Sequence, residues 1–132
     1  MTPDMLPFGT QIAFVCNQPR QFSMWCAGED VDSFNPEVTS MATAKEVIQT
    51  AKTLVENITV DDAHLEQVKR IALGKNMDME LVGTSYLNDF LVPNLYFHLT
   101  TAYNILRLNG VDIGKKDFMI NLAPQVQLIK AP

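Results

Sequence analysis

Two cysteines and two histidines are the residues of this chain best suited to nucleophilic or metal chemistry: Cys16, Cys26, His64 and His98. A three-histidine metal site cannot be assembled from one copy of the chain, and the same count excludes zinc fingers and zinc ribbons. The sequence contains no G-x-S-x-G, H-E-x-x-H or glycine-rich phosphate-binding motif. We therefore predict no catalytic residue from motifs.

The two cysteines are ten residues apart, within a segment predicted to be helical. In one helix that spacing separates them by about 15 Å along the axis. A disulfide needs Cα atoms within about 7 Å, so the two cannot pair inside one helix. We interpret them as buried apolar residues in a reducing compartment, with a reactive thiol as the alternative.

Composition excludes several classes of protein. The chain has 132 residues, with ten Lys+Arg against fifteen Asp+Glu and a net charge of −5. This balance argues against nucleic-acid binding, which needs clustered basic side chains. A hydrophobic content of 47% argues against disorder. We see no leader and no apolar run approaching the ~20 residues of a membrane span, and we expect a cytoplasmic protein.

Hydrophobic periodicity predicts three substantial helices and one hairpin. The predicted elements are a helix over 3–27 that ends at Gly28, a helix over 39–57, a β-hairpin over 68–82 and a helix over 83–108. Pro93 should kink the last helix near Asp89. We expect a capping loop over 111–118 and an irregular tail over 119–132. The domain is predicted to span 1–118 as a single helical bundle.

Two stretches also resemble a known family. They are Pro3-Asp4-Met5-Leu6-Pro7 with Gln11-Ile12, and the long stretch from Tyr86-Leu87 through Pro93-Asn94-Leu95-Tyr96-Phe97-His98 to Asn109-Gly110-Val111 and Asp117-Phe118. The chain resembles an uncharacterised, domain-of-unknown-function branch of the DinB/YfiT-like superfamily of metalloenzymes. The resemblance implies an all-α fold of four-helix-bundle type, with a small hairpin before the last helix. Members of that branch usually carry a helix before the Pro-Asp-Met motif, at which this sequence starts. We expect either a truncated product or a replacement of that helix, in which a second chain or the tail over 119–132 covers the apolar surface.

The resemblance also implies a metal site, with one histidine on an early helix and a His-x-x-x-His pair on the last. Only His98 matches. Ala102 stands four residues later, and Asn17 or Gln18 occupies the early position. A neutral amide is a poor ligand for zinc or nickel, so the site is incomplete. A core histidine bonded to nearby polar groups is the other interpretation of His98.

From these observations we expect an interaction or structural module without catalytic activity, without a cofactor, and homodimeric. The alternative is a metal-dependent or thiol-transfer enzyme that uses His98 and a divalent transition metal. A small pocket is predicted near His98, lined by Asn17, Asn94, Tyr96 and Tyr103. The two asparagines are expected to face the imidazole, and the favoured interpretation of both is structural, as partners of backbone groups left open by the prolines of the two helices. No nucleic-acid or membrane partner is expected.

Overall fold

The computed structural model describes residues 2–59 and 64–129. Its main helices are α1 (Phe8–Cys26), α2 (Met41–Glu56) and α4 (Val92–Leu108). The shorter elements are strands β1 (Val68–Ala72) and β2 (Asp78–Val82), helix α3 (Gly83–Ser85), a π-helical segment (Tyr86–Leu91), helix α5 (Lys115–Phe118) and a 3-10 helix (Ile120–Gln125). Helix α1 is the centre of the bundle, because it packs against both α2 and α4.

Helix α1 begins five residues later than the predicted start at Pro3. Residues 2–5 form a turn in which the Met5 N–H donates to the Thr2 carbonyl, and the helix starts after Pro7. The prediction was wrong because a proline disfavours helical geometry in the residue before it. The C-terminal end of α1 is as predicted. Gly28 adopts a φ of +72°, and the Glu29 and Gly28 N–H groups bond back to the last turn of the helix, as in a Schellman motif.

Helix α2 is shorter than predicted, at 41–56 instead of 39–57. Ser40 is its N-cap, and its hydroxyl accepts a hydrogen bond of 3.0 Å from the Thr43 N–H. Along α2, Ala44 and Ala51 are buried, one on each of two turns that face α1. Small residues at these positions allow close approach of the two helix axes.

The hairpin is confirmed, with β1 and β2 antiparallel and Val68 opposite Val82. The last predicted helix is continuous from residue 83 to 108, but residues 86–91 of it are π-helical. Pro93 has no N–H to donate, and immediately before it the Val92 N–H bonds to the Leu87 carbonyl, five residues back. Where a kink was predicted, near Asp89, the chain is π-helical, and this wider turn accommodates the proline.

The chain after α4 contains more regular secondary structure than predicted. Part of the expected capping loop is α5, where the Gly114 N–H donates to the Asp117 carboxylate at 2.8 Å. Part of the expected irregular tail is the 3-10 helix, and residues 130–132 lie outside the described chain. These turns are stabilised by local hydrogen bonds and not by a buried apolar stripe. The sequence therefore shows only weak hydrophobic periodicity here, and the prediction missed them. No helix of the described residues is long and apolar enough to cross a bilayer.

Candidate functional site around His98

His98 lies on α4 and faces α1, where the packing of the two helices brings it to Gln11. Its Nδ1 lies 2.7 Å from the Gln11 Oε1. The Gln11 amide is buried and is held in this orientation because its Nε2 donates to the Leu6 carbonyl at 3.2 Å. Since an amide oxygen only accepts, Nδ1 of His98 carries the proton and Nε2 keeps its lone pair.

Two aromatic rings meet the His98 imidazole edge-on. The Phe14 ring centroid is 5.2 Å away at an interplanar angle of 82°, and that of Phe97 is 5.1 Å away at 85°. Burial among these groups lowers the pKa of His98 below its usual range. The neutral imidazole is therefore favoured in the folded protein.

A cavity of about 370 Å³ opens beside this histidine. It is lined by Thr2, Asp4, Met5, Leu6, Gln11, Phe97, His98 and Thr101. The segment before α1 forms one wall, and it is held there by the hydrogen bond from Gln11 to Leu6. In residues 2–59 and 64–129, no group of three or more His, Cys, Asp or Glu side chains is arranged to hold a metal ion.

The predicted pocket residues are not gathered around the imidazole. Asn17 is buried, and its Oδ1 accepts a hydrogen bond of 2.8 Å from the Phe34 N–H, which ties the loop after α1 to the helix. Asn94 is half-buried, one turn before His98 on α4. The hydrogen-bond partner of His98 is Gln11, which the sequence patterns did not indicate as a site residue. The sequence feature that could have indicated Gln11 is the position of its polar amide within the apolar stripe of the first helix.

Tyr96 and Tyr103 line a different cavity, of about 450 Å³, between α4 and the chain that follows α5. Its other walls are Leu99, Phe118, Met119 and Asn121. The Tyr103 hydroxyl donates to the Gly114 carbonyl, and its ring meets Phe118 edge-on at 5.3 Å. Tyr103 therefore anchors the end of the domain on α4.

The cysteines are both buried, and the structure does not join them in a disulfide. Burial raises the pKa of the Cys16 thiol to about 11. Because the thiolate is the nucleophilic form, Cys16 is an inert thiol at neutral pH.

Protonation of His98 should destabilise the fold. The folded-state pKa lies below the unfolded value of about 6.5, so the unfolded chain binds more protons over that interval. The free energy of unfolding should be fully maintained above about pH 6.5 and should fall as the pH drops toward the folded-state pKa. Urea titrations of the wild type and of His98→Gln across this range test it, and parallel pH profiles for the two proteins would contradict it.

Long helices packed around a central one, with a two-stranded hairpin before the last, define a helical bundle of the DinB-like class. The chain belongs to the family described as a domain of unknown function, DUF1993, which matches residues 1–119. It is similar to the crystal structure, at 1.83 Å resolution, of a DinB family member protein from Shewanella denitrificans, with 27% identity and a TM-score of 0.75. That alignment covers 100% of this chain and 72% of the other. No significant match exists among curated proteins.

These comparisons confirm the family resemblance and the helical fold with a small hairpin.

Proposed function

We propose that this chain is a helical interaction module that associates with a second copy of itself in the cytoplasm and carries no catalytic activity of its own. The observation that supports it is the exposure of large apolar side chains in rows on α2 and α4. Contiguous exposed apolar surface on a domain of this size is typical of protein interfaces.

On α2 the row consists of Met41, Ile48 and Val55, which are 61%, 39% and 44% exposed. Residues seven apart lie on one helix face, because seven residues make almost two turns. This row borders the stripe of Ala44 and Ala51 that packs against α1. An additional helix could extend the apolar contact across the edge of α2.

On α4 the row contains Phe97 and Leu108, which are 65% and 74% exposed and three turns apart. The fold class implies a further helix against the bundle. A second copy offers apolar helix surface of the same kind, and a two-fold dimer is the commonest way for soluble chains to bury such surface. These rows carry no charge, so two negatively charged copies can meet there without charge repulsion at the contact.

Replacing Ile48 with glutamate should dissociate the dimer, because a carboxylate would have to be buried without a partner. Sedimentation velocity at micromolar concentration is the measurement. We expect a dimer for the wild type and a monomer for Ile48→Glu. Gln49→Glu, which adds the same charge at the neighbouring exposed position of α2, should remain dimeric. A folded, monomeric wild type would contradict the proposal.

The competing proposal is a metal-dependent or thiol-transfer enzyme of the DinB-like type. It is supported by the lone pair that the Gln11 hydrogen bond leaves on Nε2 of His98, since metal-binding histidines donate their other N–H in the same way. Metal analysis of protein purified without a histidine tag separates the two proposals. Stoichiometric zinc, nickel or iron that is lost in His98→Ala would support the enzyme, whereas metal-free, dimeric protein would support the interaction module.

A further inference from the structure

The inner face of the hairpin carries one cation among apolar side chains. Lys69 and Ile71 of β1 are half-buried and alternate with exposed neighbours. Across the ladder, Leu81 is opposite Lys69 and Met79 is opposite Ile71. In a strand, alternate residues share a face, so Lys69 lies on the side that packs toward the helices.

A cavity of about 240 Å³ lies beside Lys69, between the hairpin and the helices. Its walls come from four parts of the chain: Gln21 of α1, Val31 of the following loop, all of residues 69–72 of β1, and Tyr86 and Phe90 of the π-helical segment. The half-buried Phe90 presents the aromatic surface of this cavity, and behind it lies the buried Tyr86, whose ring centroid is 6.2 Å from that of Phe90 at an inclination of 31°. This cavity is separate from the one beside His98.

Lys69 has no carboxylate partner within the described ranges 2–59 and 64–129. The ion pairs found there join Arg20 to Asp32 and Arg70 to Asp78. Arg70, the immediate neighbour of Lys69, also lines the cavity, but its guanidinium is paired with the Asp78 carboxylate. Burial lowers the pKa of the Lys69 ammonium, which reflects the cost of holding an unpaired charge away from water.

We propose that this cavity binds a small monocarboxylate with a flat apolar body. The carboxylate would pair with the Lys69 ammonium, and the body would lie against the Phe90 ring. One lysine is a point charge that matches a single carboxylate, whereas phosphate sites use several donors or an arginine fork. The Gln21 amide, held by a 2.8 Å hydrogen bond to Ser33, has a second N–H to offer the anion.

The size of the cavity restricts the ligand. Pockets for drug-sized molecules occupy about 300–1,000 Å³. At about 240 Å³ this one fits a single substituted ring or a short branched acid. Benzoate is therefore the probe, and benzyl alcohol is its uncharged analogue with the same ring.

Calorimetric or NMR titration of the full chain with benzoate near neutral pH tests the proposal. We expect saturable binding by the wild type and at least tenfold weaker binding of benzyl alcohol. Lys69→Met should weaken benzoate binding at least tenfold, while its thermal unfolding shows that the hairpin still folds, since methionine suits an apolar face. Lys75→Met, which removes the same charge from the exposed turn of the hairpin, should bind benzoate like the wild type. No saturable binding by the wild type, or equal binding by Lys69→Met, would overturn the proposal.

The pH dependence provides a second readout. Because burial lowers the pKa of Lys69, its positive charge is lost at a lower pH than that of an ordinary lysine. Benzoate affinity should fall over that alkaline interval, and bound benzoate should in turn raise the pKa of Lys69 in NMR titrations of its side chain. A Lys69 pKa unchanged by saturating benzoate would overturn the assignment of the ammonium as its partner. Self-association is measured separately, so either proposal can fail without the other.

Discussion

Replacing Tyr86 with alanine should lower the free energy of unfolding by about 3–5 kcal/mol, the range found when large aromatic residues are removed from cores. Tyr86 is only 2% exposed and lies where α1 meets the π-helical segment. Its ring is 5.4 Å from that of Trp25, at 88°, and 6.0 Å from that of Phe22. Truncation would leave a cavity among rigid rings that cannot collapse to fill it.

Chemical denaturation monitored by circular dichroism measures this effect, with Tyr96→Ala as the matched control. Tyr96 is the same residue type, but it lies within α4 and is exposed. Its truncation should cost less than about 1 kcal/mol, as for most surface substitutions. Equal losses for the two variants would show that Tyr86 is not at the centre of the core.

Replacing Gly9 with alanine should cost about 3 kcal/mol or more, because the added methyl group has no space. A Cβ at this position would lie 1.8 Å from the Val38 carbonyl oxygen and 2.8 Å from the Val38 carbonyl carbon. Both are backbone atoms, so the clash cannot be relieved by a change of rotamer. The loop before α2 would have to move away from the first turn of α1, and α1 would lose its contact with that loop.

Gly114→Ala is the control for this substitution. A Cβ at Gly114 would meet no atom within 4 Å, and the φ of this residue, −143°, is an ordinary extended value. We expect a change in the free energy of unfolding of less than about 1 kcal/mol for this variant. A Gly9→Ala protein as stable as Gly114→Ala would contradict the close approach of α1 to Val38.

The sequence predicted most of the secondary structure because its signals are local. Hydrophobic periodicity predicted α2 and the hairpin. Gly28 predicted the end of α1, and it adopts the positive φ that favours glycine. The errors fell where proline or short-range hydrogen bonds override periodicity, at the start of α1 and after Gly114.

The surroundings of His98 were less predictable. The spacing of α4 correctly placed its imidazole toward the bundle, but its hydrogen-bond partner is 87 residues away in sequence. Asn17 and Gln11 both lie on α1 and are both buried amides. The two are six residues apart, which is about 120° around the helix and about 9 Å along it, so which of them meets His98 depends on how α1 is rotated and shifted against α4.

The sequence by itself determined the order and approximate positions of the helices and the hairpin, and the end of α1 at Gly28. It also determined that a single chain has too few histidines for a three-histidine metal site. Only the tertiary structure decided that Gln11 hydrogen-bonds to His98, that Tyr96 and Tyr103 line a separate cavity, and that Lys69 and Phe90 line a common one. The physical reason is the distance along the chain over which each kind of interaction acts. Helical periodicity and turn geometry act over a few residues, whereas a site is formed by side chains that come together only when whole elements pack.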